Sequence, residues 1–150
     1  YEAHLKAPAE ILCTLAHSPK VKDRLFLPYK EWEQNITKMG DNPIFPLGGA
    51  GTLYPPCSLY EDVVNKELFM TLAPQADDIW FWAMEVLAGT KVKTFLGRNR
   101  KLILVNPERE MRENDEQTLA KINIAQDGNN KQMQQVLNHY PQILEKLKNE

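Results

Sequence analysis

The stretch from Asp78 to Ala88 is apolar on nearly every side of a helix: Ile79, Trp80, Phe81, Trp82, Met84, Val86 and Leu87 leave almost no polar face. A helix of that character has to be buried on most sides, so the rest of the chain must supply layers that cover it. Asp77 stands where a helix cap belongs, and Gly89 where a helix closes. The length of 150 residues fits one domain, in which about two-thirds of the unfolded chain's surface is removed from water.

The covering layers can be read on either side. Ile11 to Ala16 is a short apolar run between Pro8 and Pro19, suited to a buried strand. Residues Lys20 to Trp32 mix charge with Leu25, Phe26, Leu27 and Tyr29, and Pro28 bars a helix, so an edge strand or hairpin running into a loop is expected. From Gly40 to Pro56 the density of glycine and proline forbids regular helix and predicts a shaped loop. Ser58 with Glu61 three residues on has a capping-box pattern and predicts a short helix over Tyr60 to Asn65, followed by a helical turn from Glu67 to Ala73 that stops before Pro74. Val92 and Phe95, then Leu102 to Val105, predict two strands around a turn at Gly97 to Arg100. A helix is expected from Asn114 to about Ala125, a turn at Asp127 to Asn130, and two small amphipathic helices through Met133, Val136, Leu137, Tyr140, Ile143, Leu144 and Leu147. The expected class is α/β: a small mixed sheet with flanking helices over residues 1–150, with 114–150 as a helical tail.

Charge narrows the function classes. A formal net charge of -2 and a pI near 6.0 offer no basic stripe, which argues against nucleic-acid binding and against a surface made for anionic membranes. No apolar run approaches the roughly 20 residues that span a bilayer, so any membrane association would be peripheral. Cys13 and Cys57 lack CxxC spacing, which predicts neither zinc nor a disulfide framework and points to a reducing cytoplasm. The chain begins at Tyr1 and reads as though cut from something longer.

Two segments could carry chemistry together. Gly48-Gly49-Ala50-Gly51-Thr52-Leu53-Tyr54-Pro55-Pro56 is a loop whose glycines let backbone approach a ligand closely. About two dozen residues on, Ala76-Asp77-Asp78-Ile79-Trp80-Phe81-Trp82 places an acid pair at the head of the apolar helix. This pairing resembles the acceptor half of bacterial GT-A-type glycosyltransferases. The strings GTLYPP, ADDIWFWAMEVLAGTKVK and VNPERE are similar, more narrowly, to a family of such enzymes that build bacterial polysaccharides.

The resemblance covers most of the chain, and what it implies can be placed on single residues. Asp78, or else Asp77, would be the general base that takes the proton from an acceptor hydroxyl, an assistance worth about a hundred- to ten-thousand-fold in rate. A helix amino terminus would keep that carboxylate ionised. Gly48, Gly49 and Gly51 would line the acceptor pocket, with Tyr54 and Trp80 offering rings to a sugar face. Arg109 would reach a phosphate bidentately, and pairing with Glu108 or Glu110 is its plainer role. His17 departs from the family's usual His-Arg pattern and is expected to be an ordinary buried or surface histidine.

The implied partners are a nucleotide-sugar donor and a saccharide acceptor at the inner face of the membrane; no motif encodes an oligomeric state. A divalent metal, Mn or Mg, is expected for the full-length enzyme, its ligands mostly outside this chain. No Asp-x-Asp and no phosphate loop of the GxGxxG or GxxxxGK type occurs in the sequence. The chain is therefore expected to be the carboxy-terminal portion of such a domain, with little transferase activity alone. Two other readings compete: a non-catalytic carbohydrate-binding module that stacks sugars on Trp32, Trp80 and Tyr54, and a two-carboxylate hydrolase, which adjacent Asp77 and Asp78 suit poorly.

Overall fold

One apolar run near the amino terminus supplies the central strands of two different sheets. In the computed structural model, which describes residues 2–22, 25–36, 44–94, 122–123 and 125–147, a short helix α1 (Glu2–Lys6) precedes β1 (Ile11–Cys13) and β2 (Ala16–Ser18). The single strand expected over Ile11 to Ala16 is broken at Thr14 and Leu15, because their backbone turns to the glycine loop instead of continuing a ladder. Thr14 N–H donates to Gly51 O at 3.1 Å, and Leu47 N–H donates to Leu15 O at 3.0 Å. The Thr14 hydroxyl also donates to Ala50 O.

β3 (Val21–Lys22) and β4 (Leu25–Phe26) form the expected hairpin, and β5 (Glu33–Ile36) and β6 (Phe45–Pro46) flank β2 antiparallel. β7 (Thr52–Leu53) pairs antiparallel with β1, and β8 (Val92–Thr94) pairs parallel with it. The parallel pair needs a crossover, which two helices provide. These are α2 (Lys66–Leu72) and α3 (Asp77–Ala88). The molecule is thus mixed α/β, with small sheets and packed helices.

α3 is the pillar of the core. Ile79, Trp80, Trp82, Ala83, Met84 and Leu87 are all buried, as its all-round apolar sequence demands. Gly89 closes it at φ 70°, the left-handed conformation that glycine adopts without a Cβ penalty. Against it pack α4 (Gly128–His139), through Met133, Val136 and Leu137, and α5 (Gln142–Lys146), through Ile143. Tyr140 between them donates its hydroxyl to Asp62 Oδ2 at 2.8 Å.

Several local expectations are corrected. Ser58 caps nothing: among the described residues its hydroxyl has no hydrogen-bond partner, and the short helix expected over Tyr60 to Asn65 is a 3-10 turn, Glu61–Val64. The cap of α2 is Asn65, whose side chain accepts from Leu68 N–H at 3.2 Å. The turn expected at Asp127 to Asn130 is the first turn of α4, entered through Asp127 at φ 55°. The strand over Leu102 to Val105 and most of the helix begun at Asn114 lie outside the described residues. Among the described residues no helix is long and apolar enough to cross a membrane.

Candidate functional site

The acid pair sits at the first turn of α3 but does not serve as its cap. The cap position belongs to Ala76, with no side-chain bond, so the expectation of an aspartate cap at Asp77 does not hold. Asp77 is exposed, and its carboxylate accepts from Asp78 N–H at 3.1 Å. Asp78 reaches out of the helix altogether: Gly48 N–H donates to its Oδ1 at 2.8 Å, across 30 residues of sequence.

Gly48 is required for that approach, since a Cβ there would lie 2.8 Å from Asp78 Oδ1. The loop holding Gly48 is a 3-10 turn, Gly48–Ala50, that ends at Gly51 with φ 97°, a conformation side chains rarely adopt. Desolvation pushes the Asp78 pKa above the ordinary carboxylate value. The Gly48 N–H opposes that rise, and the neighbouring Asp77 adds to it.

Both aspartates open onto a cleft of about 210 Å³, whose walls are Tyr29, Phe45, Gln75, Ala76, Asp77, Asp78, Ile79, Asn123 and Asn129. Tyr29 and Phe45 form its aromatic side and belong to a tight cluster with Trp32, their ring centroids 4.9 Å and 5.2 Å from that indole. The Tyr29 pKa is pushed up to about 12, chiefly by desolvation and further by the Asp78 charge. Gly48, Gly49 and Gly51 are not in this wall. Their part is corrected accordingly: Gly48 seats the acid, Gly51 shapes the turn, and Gly49 faces open space.

The aromatic assignments change too. Trp80 is 2% exposed, packs on Phe69 and Tyr140, and donates its indole N–H to Val63 O, so it presents no face to a ligand. Trp32 is buried as well, with its N–H on Leu27 O, which removes it as a stacking platform. Tyr54 already stacks on Phe81, centroids 5.3 Å apart. His17 is buried edge-on against Tyr29, and burial lowers its pKa. Arg109 lies outside the described residues.

Residues that pattern reading passed over are prominent. Gln75, Asn123 and Asn129 line the cleft from three separate segments, and the only signal in the sequence was the run of amides after Asp127, which reads equally well as a turn. Glu85, the single acid inside the apolar stretch of α3, is 1% exposed, and neither carboxyl oxygen has a hydrogen-bond partner. Burial drives its pKa well above the ordinary carboxylate value. Among the described residues no group of three or more His, Cys, Asp or Glu is arranged to hold a metal ion.

No family model, no curated protein and no solved structure matches the chain.

Proposed function

We propose that this chain is the acceptor side of a bacterial glycosyltransferase, with Asp78 as the general base. The observation that carries the reading is the Asp78 carboxylate, fixed by the Gly48 N–H at 2.8 Å and opening on a cleft with aromatic and amide walls. An acid held in one orientation and made more basic by burial is what proton abstraction from a hydroxyl needs. In the reaction, Asp78 takes the acceptor hydroxyl's proton as that oxygen bonds to the anomeric carbon of the donor sugar. The bond from that carbon to the nucleoside diphosphate breaks, and its electron pair leaves with the diphosphate.

The resemblance carried by GTLYPP and ADDIWFWAMEVLAGTKVK supports the same reading, including a GT-A-like arrangement and a role in cell-surface polysaccharide synthesis at the inner face of the membrane. At about 210 Å³ the cleft is smaller than the roughly 300–1,000 Å³ pockets that take drug-sized ligands. It suits part of an acceptor, and a whole nucleotide-sugar would extend beyond it. The divalent metal of such transferases finds no set of three ligands among the described residues, so its ligands would come from elsewhere in the enzyme.

The test is Asp78→Asn in the full-length enzyme that carries this chain, assayed with nucleotide-sugar donors and a saccharide acceptor. Transfer should fall by about a hundred- to ten-thousand-fold with acceptor binding nearly intact. Unchanged turnover would remove Asp78 from the chemistry.

A further inference from the structure

The cleft beside Asp78 is partly built by the carboxy-terminal helices, and the chemistry of its wall specifies a ligand. Gln75 is gripped through its backbone: its N–H donates to Gln132 Oε1 at 2.9 Å, and its carbonyl accepts from Asn123 Nδ2 at 2.9 Å. Tyr29 N–H likewise donates to Asn130 Oδ1 at 2.8 Å. Carboxamides from α4 and from the segment before it therefore fix two stretches of the cleft rim. Among the described residues the side-chain amides of Gln75 and Asn129 make no hydrogen bond of their own. Asn123 is 6% exposed and its Oδ1 is closed off against Gly128, so its part in the wall is to hold Gln75 in place through Nδ2.

The wall thus offers donors at Gln75, Asn129 and the Tyr29 hydroxyl. It offers acceptors at Asp77 and Asp78, against the rings of Tyr29 and Phe45. A hydroxyl both donates and accepts, so a ring bearing several of them can use such a mixture. Among the described residues no lysine or arginine stands in the wall to receive a phosphate or carboxylate.

Resting on the transferase reading, we infer that this cleft is a subsite for one sugar ring without an anionic group, and that Gln75 and Asn129 select its hydroxyls. The carboxy-terminal helices then set acceptor specificity as well as completing the core.

The experiment is titration of this chain with methyl glucoside, methyl galactoside, methyl mannoside and glucose 6-phosphate, following side-chain amide signals by heteronuclear NMR. At least one neutral pyranoside should shift the carboxamide signals of Gln75 and Asn129. Asn129→Ala should weaken that binding by about fivefold or more, with an unchanged melting temperature. Silence at those amides with every neutral sugar, equal binding by Asn129→Ala, or a preference for glucose 6-phosphate would each overturn the inference. Failure here with transfer abolished in Asp78→Asn sinks the subsite alone. Sugar binding at these amides with transfer unharmed in Asp78→Asn sinks the catalytic reading and leaves the subsite standing.

Discussion

Asp78 illustrates how one side chain acquires chemistry from three separate segments. α3 gives it a helix start, the glycine loop gives it an N–H, and Tyr29 and Phe45 shield it from water. Desolvation raises its pKa more than the Gly48 hydrogen bond lowers it. A general base must be deprotonated to act, so kcat/KM should fall as the pH drops through a value above the ordinary 3.8 of an aspartate. A pH–rate profile of the full-length enzyme checks this, and a flat acid limb contradicts it. Gly48→Ala makes a sharper demand, because the added methyl meets the end of the Asp78 side chain and not rigid backbone. The fold should survive at a cost of about 1–2 kcal/mol while the acid swings away. Transfer should then drop at least tenfold with the melting temperature only slightly lowered. The pairing of loop and acid was legible in the sequence only through the resemblance, since a glycine turn and an aspartate at a helix start each have ordinary structural uses. The cleft wall was not, since amides carry no periodic signature and their convergence depends on how α4 docks.

Elements were legible where their sequence signal was local, and obscure where a distant partner decided. α3 and its closing glycine follow from apolar residues on every face and from Gly89. The break between β1 and β2 could not be foreseen, because Thr14 is the one polar residue in an otherwise apolar run and the bend comes from hydrogen bonds to Leu47, Ala50 and Gly51, more than 30 residues away. The capping box at Ser58 failed for a similar reason: Tyr60 N–H bonds to Met84 O at 3.0 Å, so α3 sets the path of this segment. The docking of α4 is a testable case of such long-range control. Gln132 is 6% exposed and accepts the Gln75 N–H, so Gln132→Leu leaves that donor without its acceptor. The change should cost about 1–3 kcal/mol, seen as a lower urea midpoint. Lys131→Ala, exposed on the same helix, should shift stability by less than about 0.5 kcal/mol.

At the scale of the whole molecule, the core carries an acid where an apolar residue would pack more stably. Glu85 faces two other groups whose pKa values burial raises: the Cys13 thiol, pushed up to about 12, and the Tyr54 hydroxyl. Neither a thiol nor a phenol can offer Glu85 a cation, and burial makes the folded state hold its proton above the 4.5 at which the unfolded chain releases it. Its folded pKa is raised, so its contribution to stability is complete below 4.5 and is lost as the pH rises towards the folded value. Over that window the loss runs at about 1.4 kcal/mol per pH unit. His17 works in the opposite sense: its lowered pKa makes its contribution present above 6.5 and lost as the pH falls. Because His17 and Asp78 are the same in both proteins, comparing the wild-type chain with Glu85→Gln isolates the carboxyl. The two should unfold at similar denaturant concentrations near pH 4, and the variant should become progressively more stable relative to the wild type as the pH rises above 4.5. Parallel curves would mean that the folded core does not hold the Glu85 proton above that value.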